Sequence, residues 1–183
     1  MGLDVTAYET VAALDPQPPR PWTDDLYEEA IHVFSYGAFE HALNGLPYDY
    51  EISPLAGSLI LDAGWYQATG ETLGMRAGSY GGYNRFREAL ADAALGVTPD
   101  VVWNEPTAYA ASPFFELIHF ADNEGCLSGV ACAHLAADFA EQREVVLPKW
   151  DPDDETQSWF REKYDGWQEL FKLASGDGLV VFS

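Results

Sequence analysis

Apolar and polar side chains alternate over residues 3–8 (Leu-Asp-Val-Thr-Ala-Tyr), the two-residue period of a strand with one face buried. Shorter runs of strand composition recur at residues 31–36, 58–62, 64–68 and 72–76, with Gly70 read as a turn between the last two. Four prolines between Asp15 and Pro21 mark a loop, and residues 37–54 are rich in Gly, Pro and aromatics. From Tyr80 the period lengthens. Tyr83, Phe86, Leu90 and Ala94 recur at helical spacing until Gly96 stops them. Ser112-Pro113 predicts a helix start, a capping hydroxyl followed by proline at the first helical position, with Phe114, Leu117, Ile118 and Ala121 as the buried stripe and Gly125 as the end. Ser128 caps a further helix whose apolar side is Cys132, Leu135, Ala136 and Phe139. Phe160, Tyr164, Trp167, Phe171 and Ala174 line a long amphipathic helix. Gly176 and Gly178 then release the chain into a last strand at residues 179–182.

The expected fold is α+β, one domain over residues 1–183. A small, mostly antiparallel sheet of N-terminal strands plus the C-terminal strand is covered by about four helices. Length allows a sizeable core, and 14% aromatic content demands one. No run of apolar residues is long enough to cross a bilayer, and the N-terminus lacks a basic flank followed by an apolar run, so the chain reads as cytoplasmic. The opening Met-Gly-Leu-Asp-Val-Thr also fits a myristoylation pattern, but the strand accounts for the same residues.

Charge changes the picture most. Thirty Asp and Glu against nine Lys and Arg give a net charge of −21. Such a field repels phosphates and acidic membrane surfaces, which disfavours direct nucleic-acid binding. It leaves three readings: an acid-rich proteome, a basic partner protein, or imitation of a nucleic-acid backbone.

Two segments hold the polar residues that periodicity leaves over. In Gly78-Ser-Tyr-Gly-Gly-Tyr-Asn-Arg85, glycines precede a helix start whose free N–H groups favour anions, and Arg85 adds a forked donor. No Lys-Ser/Thr follows, so this is not a P-loop. A glycine turn with core tyrosines, and with Arg85 and Arg87 paired to nearby carboxylates, explains the same residues. In the second segment, residues 113–125, Glu116, His119 and Asn123 share one arc of the helix, flanked by Phe115 and Phe120. That girth predicts a helix covered on more than one side, with Glu116 beside His119 and raising its pKa, a pair suited to acid/base work or to a structural hydrogen bond. His119, Cys126, Cys132 and His134 do not meet zinc spacings, because Cys132 and His134 point to opposite helix faces. The Asp151-Pro-Asp-Asp-Glu run lacks the glycine and distal Glu of a calcium loop. The expectation is therefore no metal and no cofactor.

The opening Met1-Gly-Leu-Asp-Val-Thr-Ala-Tyr8, the middle Arg76-Ala-Gly-Ser-Tyr-Gly-Gly-Tyr-Asn-Arg-Phe-Arg87 and the run from Pro113 to Gly125 resemble a family of small proteins from bacterial and bacteriophage genomes that has no established activity. The resemblance covers about half the chain, implies a phage or prophage setting in which acidic anti-defence proteins are common, and transfers no catalytic residue. The leading functional expectation is a non-enzymatic binding protein. Its pocket would take a small anionic or nucleotide-like ligand with Ser79, Tyr80, Asn84 and Arg85, completed by His119, Asp122 and Asn123. The alternatives are an acidic inhibitor of a basic host-defence protein, and a hydrolase or transferase using Glu116 and His119.

Overall fold

The computed structural model describes residues 2–16, 31–33, 64–119, 125–151 and 153–182. Strand β1 (Gly2–Ala13) lies at the centre of a five-stranded antiparallel sheet. On one side it pairs with β3 (Gly64–Ser79), which in turn carries β2 (Ile31–Val33). On the other it pairs with β5 (Leu179–Phe182), and β5 carries the edge strand β4 (Gly125–Ser128), so the order is β2-β3-β1-β5-β4. The two-residue alternation is realised: Leu3, Val5 and Ala7 are buried against the helical layer while Asp4 is exposed. Seven α-helices are found among the described residues, and the fold is α+β as expected.

Three of those helices are long and sit where the periodicity places them. Helix α1 (Tyr80–Leu95) ends at Gly96, whose left-handed backbone lets its N–H reach the Asp92 carbonyl. Helix α5 (Gly129–Glu141) is capped by the Ser128 hydroxyl, which accepts from the Ala131 N–H. Helix α7 (Glu155–Leu173) buries Phe160, Tyr164, Trp167, Leu170 and Phe171 against the sheet. Trp167 stacks on Phe171 and on Phe182 of β5 at 5.5 and 5.7 Å. Each such aromatic contributes about 2–3 kcal/mol by leaving water. The short segments α2 (Pro99–Asn104), α3 (Pro106–Tyr109), α4 (Phe115–His119) and α6 (Arg143–Val146), with a 3-10 turn at Leu147–Lys149, fill the space between them.

Two sequence expectations are corrected. Residues 64–79 form one strand, not two separated by a turn, because Gly70 (φ +83°) sits in a bulge of β3 opposite Glu9, whose carboxylate accepts the Glu71 N–H at 2.7 Å. The helix expected from Ser112-Pro113 begins instead at Phe115. A turn precedes it, in which Phe114 takes φ +62°. The expected strand at 58–62 and the helix stripe at Ala121 lie outside the described residues.

Candidate functional site

Ser79, in extended conformation, caps α1 by accepting the Gly82 N–H at 3.1 Å, and Tyr80 beside it is exposed. Asn84 accepts a short hydrogen bond from Arg87. Arg85 lies over the ring of Trp159 on α7, 4.7 Å from its centroid. Two positions along a helix is more than half a turn, so Arg85 and Arg87 leave α1 in different directions. Arg87 is the one that meets α4.

Arg87 is buried, with its guanidinium over Tyr83 at 4.7 Å and Trp103 at 5.1 Å. It donates to the Ile118 carbonyl at 3.3 Å, which also accepts the Trp103 indole N–H at 3.0 Å. His119 follows at once, 4% exposed and stacked on Phe115 at 5.0 Å. Burial first, and then the neighbouring Arg87 charge, push the imidazole down to about 4, so His119 is neutral at pH 7. The two sequence motifs therefore touch through Arg87 and the Ile118–His119 backbone. Of the residues expected to bind a ligand, Ser79, Tyr80, Asn84 and Arg85 lie at the start of α1, and His119 lies on α4. Asp122 and Asn123 lie outside the described residues.

Helix α4 is packed by α1, α2 and α5, and all five of its residues are buried. The expected pairing of Glu116 with His119 is corrected. Glu116 turns to α5, where its Oε2 lies 3.0 Å from Nδ1 of His134, and His119 has its pKa lowered and not raised. The Glu116 hydrogen bond pushes His134 up to about 8 against its own partial burial. Asp138, one turn further along α5, accepts the Phe114 N–H at 2.7 Å, and burial raises its pKa. That bond helps hold Phe114 in its left-handed conformation, which costs a bulky residue about 1–3 kcal/mol. The phenyl ring adds its own anchorage, edge-on to Phe139 at 4.9 Å. Donor atoms of Glu116, His134 and Asp138 all lie within 4.8 Å of one another. Spacing within the second segment did not point to His134 or Asp138. The available signal was a His and an Asp four apart on the predicted α5, outside its apolar stripe.

The cysteines take no part in this cluster. Cys126 and Cys132 are buried free thiols, and desolvation pushes Cys126 up to about 12 and Cys132 higher still, so neither is a ready nucleophile. None of the described helices is long and apolar enough to cross a membrane. The chain matches no protein-family model, no curated protein and no solved structure.

Proposed function

We propose that this chain is a non-enzymatic binding protein that presents carboxylates to a basic protein partner. The observation that carries this reading is where the scarce cations go. Arg87, Lys149, Arg161 and Lys163 donate to the backbone carbonyls of Ile118, Ala93, Trp150 with Leu147, and Arg76. Arg85 packs on an indole ring. Their charge is spent on fastening loops and helix ends, and surface acids such as Glu88, Asp92, Glu105, Glu144 and Glu169 remain exposed. Arg143 of α6 joins Asp165 and Gln168 of α7, and Glu141, Glu144 and Glu169, close to these residues in sequence, are exposed. An anti-defence role in phage, the setting implied by the sequence resemblance, is one biological form of this reading.

The test is association with a panel of purified basic protein domains across a salt series. Affinity is expected to fall steeply with salt, and the triple variant Glu141→Gln, Glu144→Gln, Glu169→Gln is expected to weaken binding and flatten the salt slope. Equal affinity in the triple variant at every salt concentration counts against these three acids as the point of contact. No association with any domain at low salt counts against the reading itself.

The start of α1 favours a second reading, a small anionic or nucleotide-like ligand. Its first turn carries no acidic residue, although the molecule is strongly acidic, and Tyr80 and Arg85 are exposed beside it. A ligand held at about 100 times its Kd adds about 2.7 kcal/mol, a shift of a few degrees in Tm. Arg85→Ala is expected to remove that shift while leaving the fold intact. A hit that survives Arg85→Ala places the ligand elsewhere.

A further inference from the structure

Among the described residues, Glu116 is a buried carboxylate with only one of its two oxygens accounted for. It is 1% exposed, its Oε2 is shared with His134, and its Oε1 is buried with no hydrogen-bond partner among the described residues. A carboxylate oxygen is not left bare in a protein interior without cost, so a further partner for it is expected. The donors arranged around it are one imidazole and one more carboxylate. His134 and Asp138 project from one face of α5 at a spacing of one turn, and the Phe114 N–H fixes Asp138 from behind. The side chain of His134 is 33% exposed, so the cluster opens toward water on that side.

We propose that Glu116, His134 and Asp138 form a three-ligand site for a zinc-type divalent cation. The donor atoms lie within 4.8 Å of one another, and tetrahedral zinc with nitrogen and oxygen ligands sets neighbouring donors about 3.3 Å apart. The Glu116–His134 edge is already shorter than that, at 3.0 Å, and the Asp138 donor lies within 4.8 Å of both. One imidazole with two carboxylates suits zinc better than magnesium, which prefers oxygen alone and keeps its waters. Three protein ligands leave the fourth position to water on the His134 side. Binding replaces the proton between His134 Nδ1 and Glu116 Oε2, which passes to buffer, and chelation by both Glu116 oxygens gives Oε1 its partner. The cysteines are a separate place for zinc to go, and the test distinguishes them.

The experiment is calorimetric titration of the full-length chain with Zn²⁺ in excess Mg²⁺, in two buffers of different ionisation enthalpy. One saturable site per chain is expected, with proton release visible as a buffer-dependent heat. His134→Gln and Asp138→Asn are each expected to weaken binding by more than the roughly 10–100-fold that loss of an outer partner costs. Cys126→Ser is expected to leave it unchanged. Should either site variant fail to fold, the wild-type protein still decides the matter, because Zn²⁺ must shift the His134 ring resonances in a one-to-one titration. Absence of a saturable site overturns the proposal. So does wild-type affinity in His134→Gln, or a His134 ring that does not respond to bound zinc.

Discussion

At the scale of single residues, the informative contrast is between two histidines, His119 at the end of α4 and His134 on α5. His134 sits beside carboxylates and holds its proton up to about pH 8, whereas His119 is buried against Phe115 beside Arg87 and gives its proton up. The folded state refuses a proton at His119 until about pH 4, but the unfolded chain accepts one near pH 6.5. Between those values the unfolded state binds more protons, so stability falls as pH drops through the window, and the loss is complete below it. The gap corresponds to about 3 kcal/mol at most. Denaturant unfolding at pH 7 and pH 4.5 should show this loss in the wild type and a smaller one in His119→Gln. Arg87→Met separates the two causes. If the guanidinium contributes, the His119 pKa measured by NMR rises in that variant; an unmoved pKa assigns the whole effect to burial.

At the scale of elements, what could be read from the sequence tracks the length of the apolar stripe. Helices α1, α5 and α7 each repeat their apolar positions over three turns or more, and their caps (Ser79, Ser128) and stop (Gly96) are local chemistry. Helices α2, α3 and α6 span four to six residues, too short to be stable without tertiary packing, and so leave no periodic signal. Gly70 reads as a turn because a positive φ is what turns need, but here the Glu9 carboxylate holds it inside a bulge. The candidate site followed the same division. Glu116 and His119 stood out from the spacing of one helix, but their neighbours came from others: His134 of α5 pairs with Glu116, the Asp138 donor atom lies within 4.8 Å of that pair, and Arg87 in place of Arg85 comes from α1. Partner choice across helices is a matter of docking, which no local spacing records. The docking of α5 is itself set by Gly129 at its first position. A Cβ there would strike the carbonyl of Gly176 and crowd the Gly178 N–H, both backbone groups that cannot swing away. Gly129→Ala gains at most about 1 kcal/mol of helix propensity and meets an overpacking cost of about 1–3 kcal/mol or more, so a net loss of stability is expected. Gly74→Ala, with open space around its Cβ, is the control and should change little. Equal effects in thermal unfolding would remove the close approach of α5 to the turn before β5 as a constraint on the fold.

At the scale of the whole molecule, a net charge of −21 on 183 residues sets up self-repulsion that the fold does little to neutralise locally. The buried Arg87 serves the α1–α4 contact, and Lys149, Arg161 and Lys163 serve backbone carbonyls, so four of the nine cations are committed to backbone contacts. Exposed pairs such as Asp4–Arg76 at 3.4 Å contribute little on their own. Long-range repulsion is screened when the Debye length shrinks from about 30 Å at 0.01 M salt to about 3 Å at 1 M. Thermal unfolding in a sodium chloride series is therefore expected to show Tm rising from low to moderate salt, and the triple variant Glu141→Gln, Glu144→Gln, Glu169→Gln is expected to start from a higher Tm and respond less. The same three substitutions that weaken a basic partner's binding would thus stabilise the free protein. Under the proposed function, that opposition is the expected mark of carboxylates kept on a surface for binding at a cost to stability. A triple variant less stable than the wild type at low salt would mean that these acids support the fold instead, and would remove them from the proposed contact with a basic partner.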